Sequence, residues 1–136
     1  MLNKANPHRY YVTFYDSNYL AKGVATFLSL KKHHNNFTLY AFCFDDTAYT
    51  VTKKMGYKNL IPVHTSEFET KELLKSKEGK TKFYEYYWSC KPYIIKWVMD
   101  HKNTDIVTYI DCDFMFFDSP EYLFKEMDKA DVLIQP

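Results

Sequence analysis

The chain has 136 residues, 46% of them hydrophobic and 26% charged, with 18 Lys+Arg against 17 Asp+Glu and a net charge of +1. This composition excludes a disordered or fibrous chain and is enough for one globular domain over 1–136 with a sizeable core. The balanced charge leaves no global field to draw in nucleic acid or an anionic membrane, and no apolar run is long enough for a transmembrane helix.

In chain order, residues 10–15 (YYVTFY) are aromatic and β-branched and are expected as a buried strand. Over 19–33 the period changes. Leu20, Val24, Phe27 and Leu28 fall on one helical face, and His33, His34, Asn35 and Asn36 read as the helix end and a turn. Residues 37–44 (FTLYAFCF) give a second strand. Asp45, Asp46 and Thr47 can cap a short helix that Gly56 closes. A third, weaker strand follows over 60–64, with Pro62 suited to an edge or end position. Thr65 and Ser66 can cap a helix over 68–74, 71–82 reads as polar loop, and 83–88 and 92–99 read as two helices, Pro92 near the start of the second. Residues 106–110 (IVTYI) are the clearest buried strand, 121–127 a short helix after Ser119 and Pro120, and 132–134 the start of a further strand. This alternation implies an α/β fold, a mostly parallel sheet with helices on both faces.

In such sheets ligands sit beyond the carboxyl ends of the strands. Acidic groups follow three of the expected strands: Asp16, Asp45-Asp46, and Asp111-Cys112-Asp113. Carboxylates gathered at one edge repel one another unless solvated, protonated or bridged by a cation. Ten Asp in 136 residues would give about 0.7 Asp-x-Asp triplets by chance, so the triplet gains weight only from its place after an apolar strand. One carboxylate on a metal and the other on metal-bound water or ribose would suit Mn²⁺ or Mg²⁺ carried with a diphosphate; a solvated strand-end turn is the plainer account. Asp16, Ser17 and Asn18 are capping residues, yet Asp16 can also accept from a base N–H while Tyr19 stacks on the base. Asp45-Asp46 is most simply a cap. Lys91 is a solvated lysine or a diphosphate contact. Carboxylates flanking Cys112 would raise its pKa and disfavour a thiolate nucleophile. His64 and His101 have no spaced partner. Three cysteines without metal spacing, and first residues without a signal-peptide pattern, fit a reduced, cytoplasmic setting.

The stretch YVTFYDSNYLAKGVATFLSLKKHHNNFTLYAFCFDD, followed by WSCKPYIIKWVM and VTYIDCDFMFFDSPEYLF, resembles the N-terminal half of GT-A glycosyltransferases, closest in style to family 8 and to nucleotide-diphospho-sugar transferases. The residues that carry the likeness are Asp16, Asn18 and Tyr19, the pair Ser29-Leu30, Asp45, and Tyr109-Ile110-Asp111-Cys112-Asp113. The resemblance implies a Rossmann-like GT-A fold and a nucleotide-diphospho-sugar donor, expected to be a UDP-sugar, with an unknown acceptor. It puts Mn²⁺ or Mg²⁺ on Asp111 and Asp113, Asp111 and Cys112 also near the donor, Asp16 and Tyr19 at the base with Tyr15 close by, and Lys91 near the diphosphate. It leaves the catalytic residues unknown and is compatible with a homodimer. GT-A enzymes are longer, so the chain reads either as the donor-binding half of a larger catalytic domain, whose remainder would supply acceptor contacts and a further metal ligand, or as a reduced version of one. Two other readings are an inert nucleotide-binding or assembly module and a haloacid-dehalogenase-type phosphatase. The latter needs Thr or Val two residues after its second Asp, where this chain has Met115.

Overall fold

Two runs rich in aromatic and β-branched side chains form the centre of the molecule, β1 (Arg9–Tyr15) and β2 (Phe37–Cys43), in a computed structural model that describes residues 7–79, 82–127 and 130–134. Between them runs α1 (Leu20–His33); after β2 come α2 (Asp46–Lys54) and β3 (Leu60–His64). The chain continues through α3 (Thr65–Phe68), α4 (Lys71–Lys75) and α5 (Phe83–Lys102) to β4 (Thr108–Tyr109), then α6 (Glu121–Glu126). The four strands form one all-parallel sheet in the order β3-β2-β1-β4.

Strand alternation divides the core in two. Tyr11, Tyr15, Leu39, Ala41 and Cys43 point to the face covered by α1 and α2, where Phe27, Leu30 and Ala48 meet them. Val12, Tyr40, Phe42 and Val63 point to the other face, against Phe68, Leu73, Tyr86, Cys90, Ile94 and Val98 of α3, α4 and α5. Each fully buried Val, Leu, Ile or Phe of these layers contributes about 1.5–3 kcal/mol. The connection from β1 to β2 thus crosses one face of the sheet and the connection from β3 to β4 the other. The strand order reverses between β1 and β4, which opens a crevice beyond their carboxyl ends.

Several expectations need correcting. The two helices over 83–88 and 92–99 are one continuous helix of 20 residues with Pro92 inside it. A buried face of Tyr86, Cys90, Ile94 and Val98, spaced every four residues, holds it together across the proline. The helix expected over 68–74 is two short ones. His64, not Thr65 or Ser66, caps α3: its Nδ1 accepts from the backbone N–H of Ser66, and Glu67 returns a bond to the N–H of His64. Thr70 caps α4, which occupies the first part of the expected loop; positions 80–81 of that loop lie outside the described residues. The strand over 106–110 shrinks to Thr108–Tyr109, since as an edge strand it has only β1 to pair with, and Ile106 is 44% exposed. No strand forms at 132–134: Val132 and Ile134 are exposed and find no ladder partner among the described residues.

Candidate functional site

The crevice at the strand-order reversal is built from both crossovers. Asp16 follows β1 directly. Its Oδ1 accepts from the backbone N–H groups of Asn18 (3.0 Å) and Tyr19 (3.3 Å), which turns the chain into α1. The hydroxyl of Tyr87, reaching across from α5, donates to its Oδ2 at 3.4 Å. One helical turn later Lys91 places Nζ 3.5 Å from Oδ1 of Asp111, the residue that follows β4 and Ile110. Tyr109 donates to the same oxygen at 2.6 Å, and Lys91 lies over the Tyr109 ring, 4.7 Å from its centroid. The i, i+4 pair Tyr87 and Lys91 therefore links the loops after β1 and β4.

The structure brings Asp16, Tyr19, Lys91, Asp111 and Asp113 to this one end of the sheet and leaves Tyr19, Asp111 and Asp113 exposed. Tyr15 lies beneath the crevice instead. Its side chain is buried, its hydroxyl is bonded to Thr52 Oγ1 at 2.9 Å, and its ring lies against Gly23. Cys112 turns its side chain toward the α1 core. Burial first, then the carboxylates of Asp113 and Asp111, push its thiol up to about 11, which disfavours the thiolate at neutral pH. Asp45 caps α2 through Ala48 N–H at 2.7 Å, as expected, and with its other oxygen also holds the Ser17 N–H of the β1–α1 loop at 2.7 Å. Partial burial would raise its pKa; the N–H groups of Ala48 and Ser17 outweigh that and hold it below the usual carboxylate range. The sequence reading missed Tyr87, whose signal was its four-residue spacing from Lys91. Burial and then the charge of Asp16 push its hydroxyl up to about 12, so it stays a donor at neutral pH.

The acidic loop is anchored to α1. Thr26 Oγ1 lies 2.8 Å from the carbonyl of Cys112 and 2.7 Å from that of Phe114, and Ser29 Oγ accepts from the N–H of Phe116 at 3.0 Å. Thr26 and Ser29 are buried, so these bonds fix where Asp111 and Asp113 emerge. Among the described residues no three His, Cys, Asp or Glu side chains gather into a metal cage. Two exposed carboxylates beside a lysine are a donor set for a hard cation that arrives with a phosphate ligand, since Mg²⁺ is commonly bound through one or two carboxylates plus substrate oxygens. Asp111 and Asp113 could supply carboxylates to an ion of that kind.

No family model matches the chain. It is similar to two proteins of Bacillus subtilis (strain 168), both described as uncharacterized. It is 33% identical to YfnD over 107 residues, 78% of this chain and 34% of YfnD. It is 30% identical to YfnF over 125 residues, 91% of this chain and 41% of YfnF. The chain thus spans between a third and about two fifths of the length of these relatives.

Proposed function

We propose that this chain is the donor-binding part of a metal-dependent glycosyltransferase of the GT-A type, with a UDP-sugar as its donor and an acceptor of its own. The observation that carries the reading is that Tyr87 and Lys91, one turn apart on α5, reach Asp16 of the post-β1 loop and Asp111 of the post-β4 loop. Ligands of open parallel sheets bind at such a reversal of strand order. Tyr19 offers an exposed ring to the base, and Asp16 an acceptor for a base N–H. Lys91 is half-exposed and can exchange its contact with Asp111 for a diphosphate oxygen. A Mn²⁺ or Mg²⁺ ion held by Asp111 and Asp113 would neutralise charge on the departing nucleoside diphosphate.

The test is a thermal shift with UDP and Mn²⁺. Ligand at a hundred times its dissociation constant stabilises by about 2.7 kcal/mol. Asp113→Asn should abolish the shift while leaving the unliganded melting temperature unchanged, because Asp113 is exposed and contributes to neither core. A variant that keeps the full shift removes Asp113 from the site. Turnover of a UDP-sugar with Mn²⁺ separates a transferase from an inert nucleotide module, and phosphate release from an aryl phosphate would point to a phosphatase instead.

A further inference from the structure

The main chain around Asp111 is fixed by three bonds. The Ile110 N–H donates to the Val12 carbonyl at 3.0 Å, the Phe114 N–H closes a turn onto the Asp111 carbonyl at 3.2 Å, and Thr26 Oγ1 donates to the Cys112 carbonyl at 2.8 Å. What these bonds leave free is the Asp111 side chain, which is exposed and has several staggered rotamers open to it. Tyr109 removes that freedom. Residues two apart in extended chain share a face, so the Tyr109 hydroxyl reaches Asp111 Oδ1 at 2.6 Å. Lys91 Nζ meets the same oxygen at 3.5 Å, and neither contact uses Oδ2. The two donors differ in permanence. Lys91 sits on a long, half-exposed side chain and can exchange its partner for a diphosphate oxygen. The Tyr109 ring is half-buried, packs against the core that α5 covers, and lies 6.2 Å from the Phe14 ring at an interplanar angle of 37°. Its hydroxyl cannot leave Asp111 without disturbing that packing.

We infer that Tyr109 is a positioning residue: its hydroxyl holds the Asp111 carboxylate by Oδ1 and leaves Oδ2 as the oxygen offered to a divalent ion. The inference rests on the donor reading above and adds to it the residue that orients a carboxylate of the ion site. A carboxylate with one oxygen engaged in this way offers an ion its other oxygen alone. The remaining positions then fall to Asp113, to diphosphate oxygens and to water, which is how Mg²⁺ is ordinarily held. A freely turning Asp111 would have to give up rotamer freedom each time an ion bound; one already held does not. Hydrogen-bond partners behind a metal ligand typically change metal affinity by about 10–100-fold. The Tyr109 ring makes a separate contact under Lys91, 4.7 Å from Nζ to its centroid. Phenylalanine keeps the ring and loses only the hydroxyl, so the two contacts can be told apart.

Calorimetry on the intact chain tests this, with UDP titrated once in Mn²⁺ and once in EDTA. The ratio of the two dissociation constants is the gain in affinity that the ion confers. In Tyr109→Phe that gain should fall about tenfold or more. Its affinity in EDTA and its melting temperature should match those of the wild type, because the ring and its packing stay. Tyr87→Phe is the matched control: it removes a hydroxyl of the same crevice that reaches Asp16 and not Asp111, and should keep the full gain. An unchanged or larger gain in Tyr109→Phe overturns the assignment. So does a loss of affinity by the same factor in Mn²⁺ and in EDTA, which a packing role alone would produce, and so does an equal loss of gain in Tyr87→Phe. Each of these outcomes leaves the wild-type binding intact, and with it the donor reading. A wild-type chain that binds no UDP in Mn²⁺ overturns the donor reading itself, and the role of Tyr109 with it.

Discussion

Lys91 and Asp111 pose the question of role most sharply. A half-exposed ion pair at 3.5 Å contributes at most about 1 kcal/mol to stability, so a purely structural pair would be of little consequence. As a diphosphate contact, the same lysine would contribute a charge-assisted hydrogen bond of about 1.5–3 kcal/mol. Lys91→Met should therefore leave the melting temperature nearly unchanged and weaken UDP–Mn²⁺ binding roughly tenfold or more by calorimetry; unchanged affinity would return the residue to the solvated surface. Tyr19→Ala should behave similarly, with nucleotide affinity falling and folding intact, since the Tyr19 side chain is exposed and its ring is met by the Lys22 ammonium, while its backbone bonds survive the substitution. The acidic residues were legible in the sequence because each directly follows a strand, a position that periodicity locates well. Tyr87 was not, because its meaning depends on which side of α5 faces the crevice, and that is fixed by packing of Cys90 and Ile94 across the sheet.

At the scale of elements, α1 holds the site from below. Gly23 lies where a methyl would fall into the Tyr15 ring. Helix propensity alone predicts that Gly23→Ala stabilises by about 1 kcal/mol. Steric overlap predicts a loss of about 1–3 kcal/mol, because Tyr15 is buried, tied to Thr52 and has little room to move. The overlap should win: urea unfolding of Gly23→Ala should show a net loss, and adding Tyr15→Leu should recover part of it. A stabilised Gly23→Ala would mean that the ring moves freely. The strands and helices through 64 were readable because apolar alternation, a 3.6-residue period and capping residues agree there. Past 64 the signals conflict. Pro92 reads locally as a helix start, but the buried stripe running from Tyr86 to Val98 carries the helix through it. IVTYI reads as a full core strand, but at the sheet edge only two of its residues find a ladder.

On the scale of the molecule, the acidic loop is pinned at both ends of the sheet. It leaves the crevice at Asp111, is held to α1 through Thr26 and Ser29, and enters α6 at the opposite end, where β1 begins. There Arg9 of β1 makes two bonds to Glu121, 3.0 and 2.9 Å, and stacks over Phe124 at 3.8 Å. His34, buried at the end of α1, places Nε2 3.7 Å from Glu121 and stacks on Phe37. Both titratable groups make folding sensitive to acid. Burial lowers the pKa of His34 despite the opposing pull of Glu121, so the unfolded chain binds that proton more readily. Its contribution is fully present above the unfolded value, about 6.5, and is lost as pH falls toward the lower folded value. The hydrogen bond from Arg9 lowers the pKa of Glu121, whose contribution is present above about 4.3 and is lost as pH falls through its folded value. The melting temperature should accordingly decline in two steps on acidification, the first beginning near pH 6.5. His34→Phe, which keeps a ring stacked on Phe37, should remove the first step alone, and Arg9→Met should lower stability by about 2 kcal/mol at neutral pH by stranding a partly buried carboxylate. A melting profile of His34→Phe that still falls from pH 6.5 would place the acid-sensitive group elsewhere. A profile flat down to pH 5 would show that the clamp beneath the acidic loop, and not the loop itself, sets the acid limit of the fold.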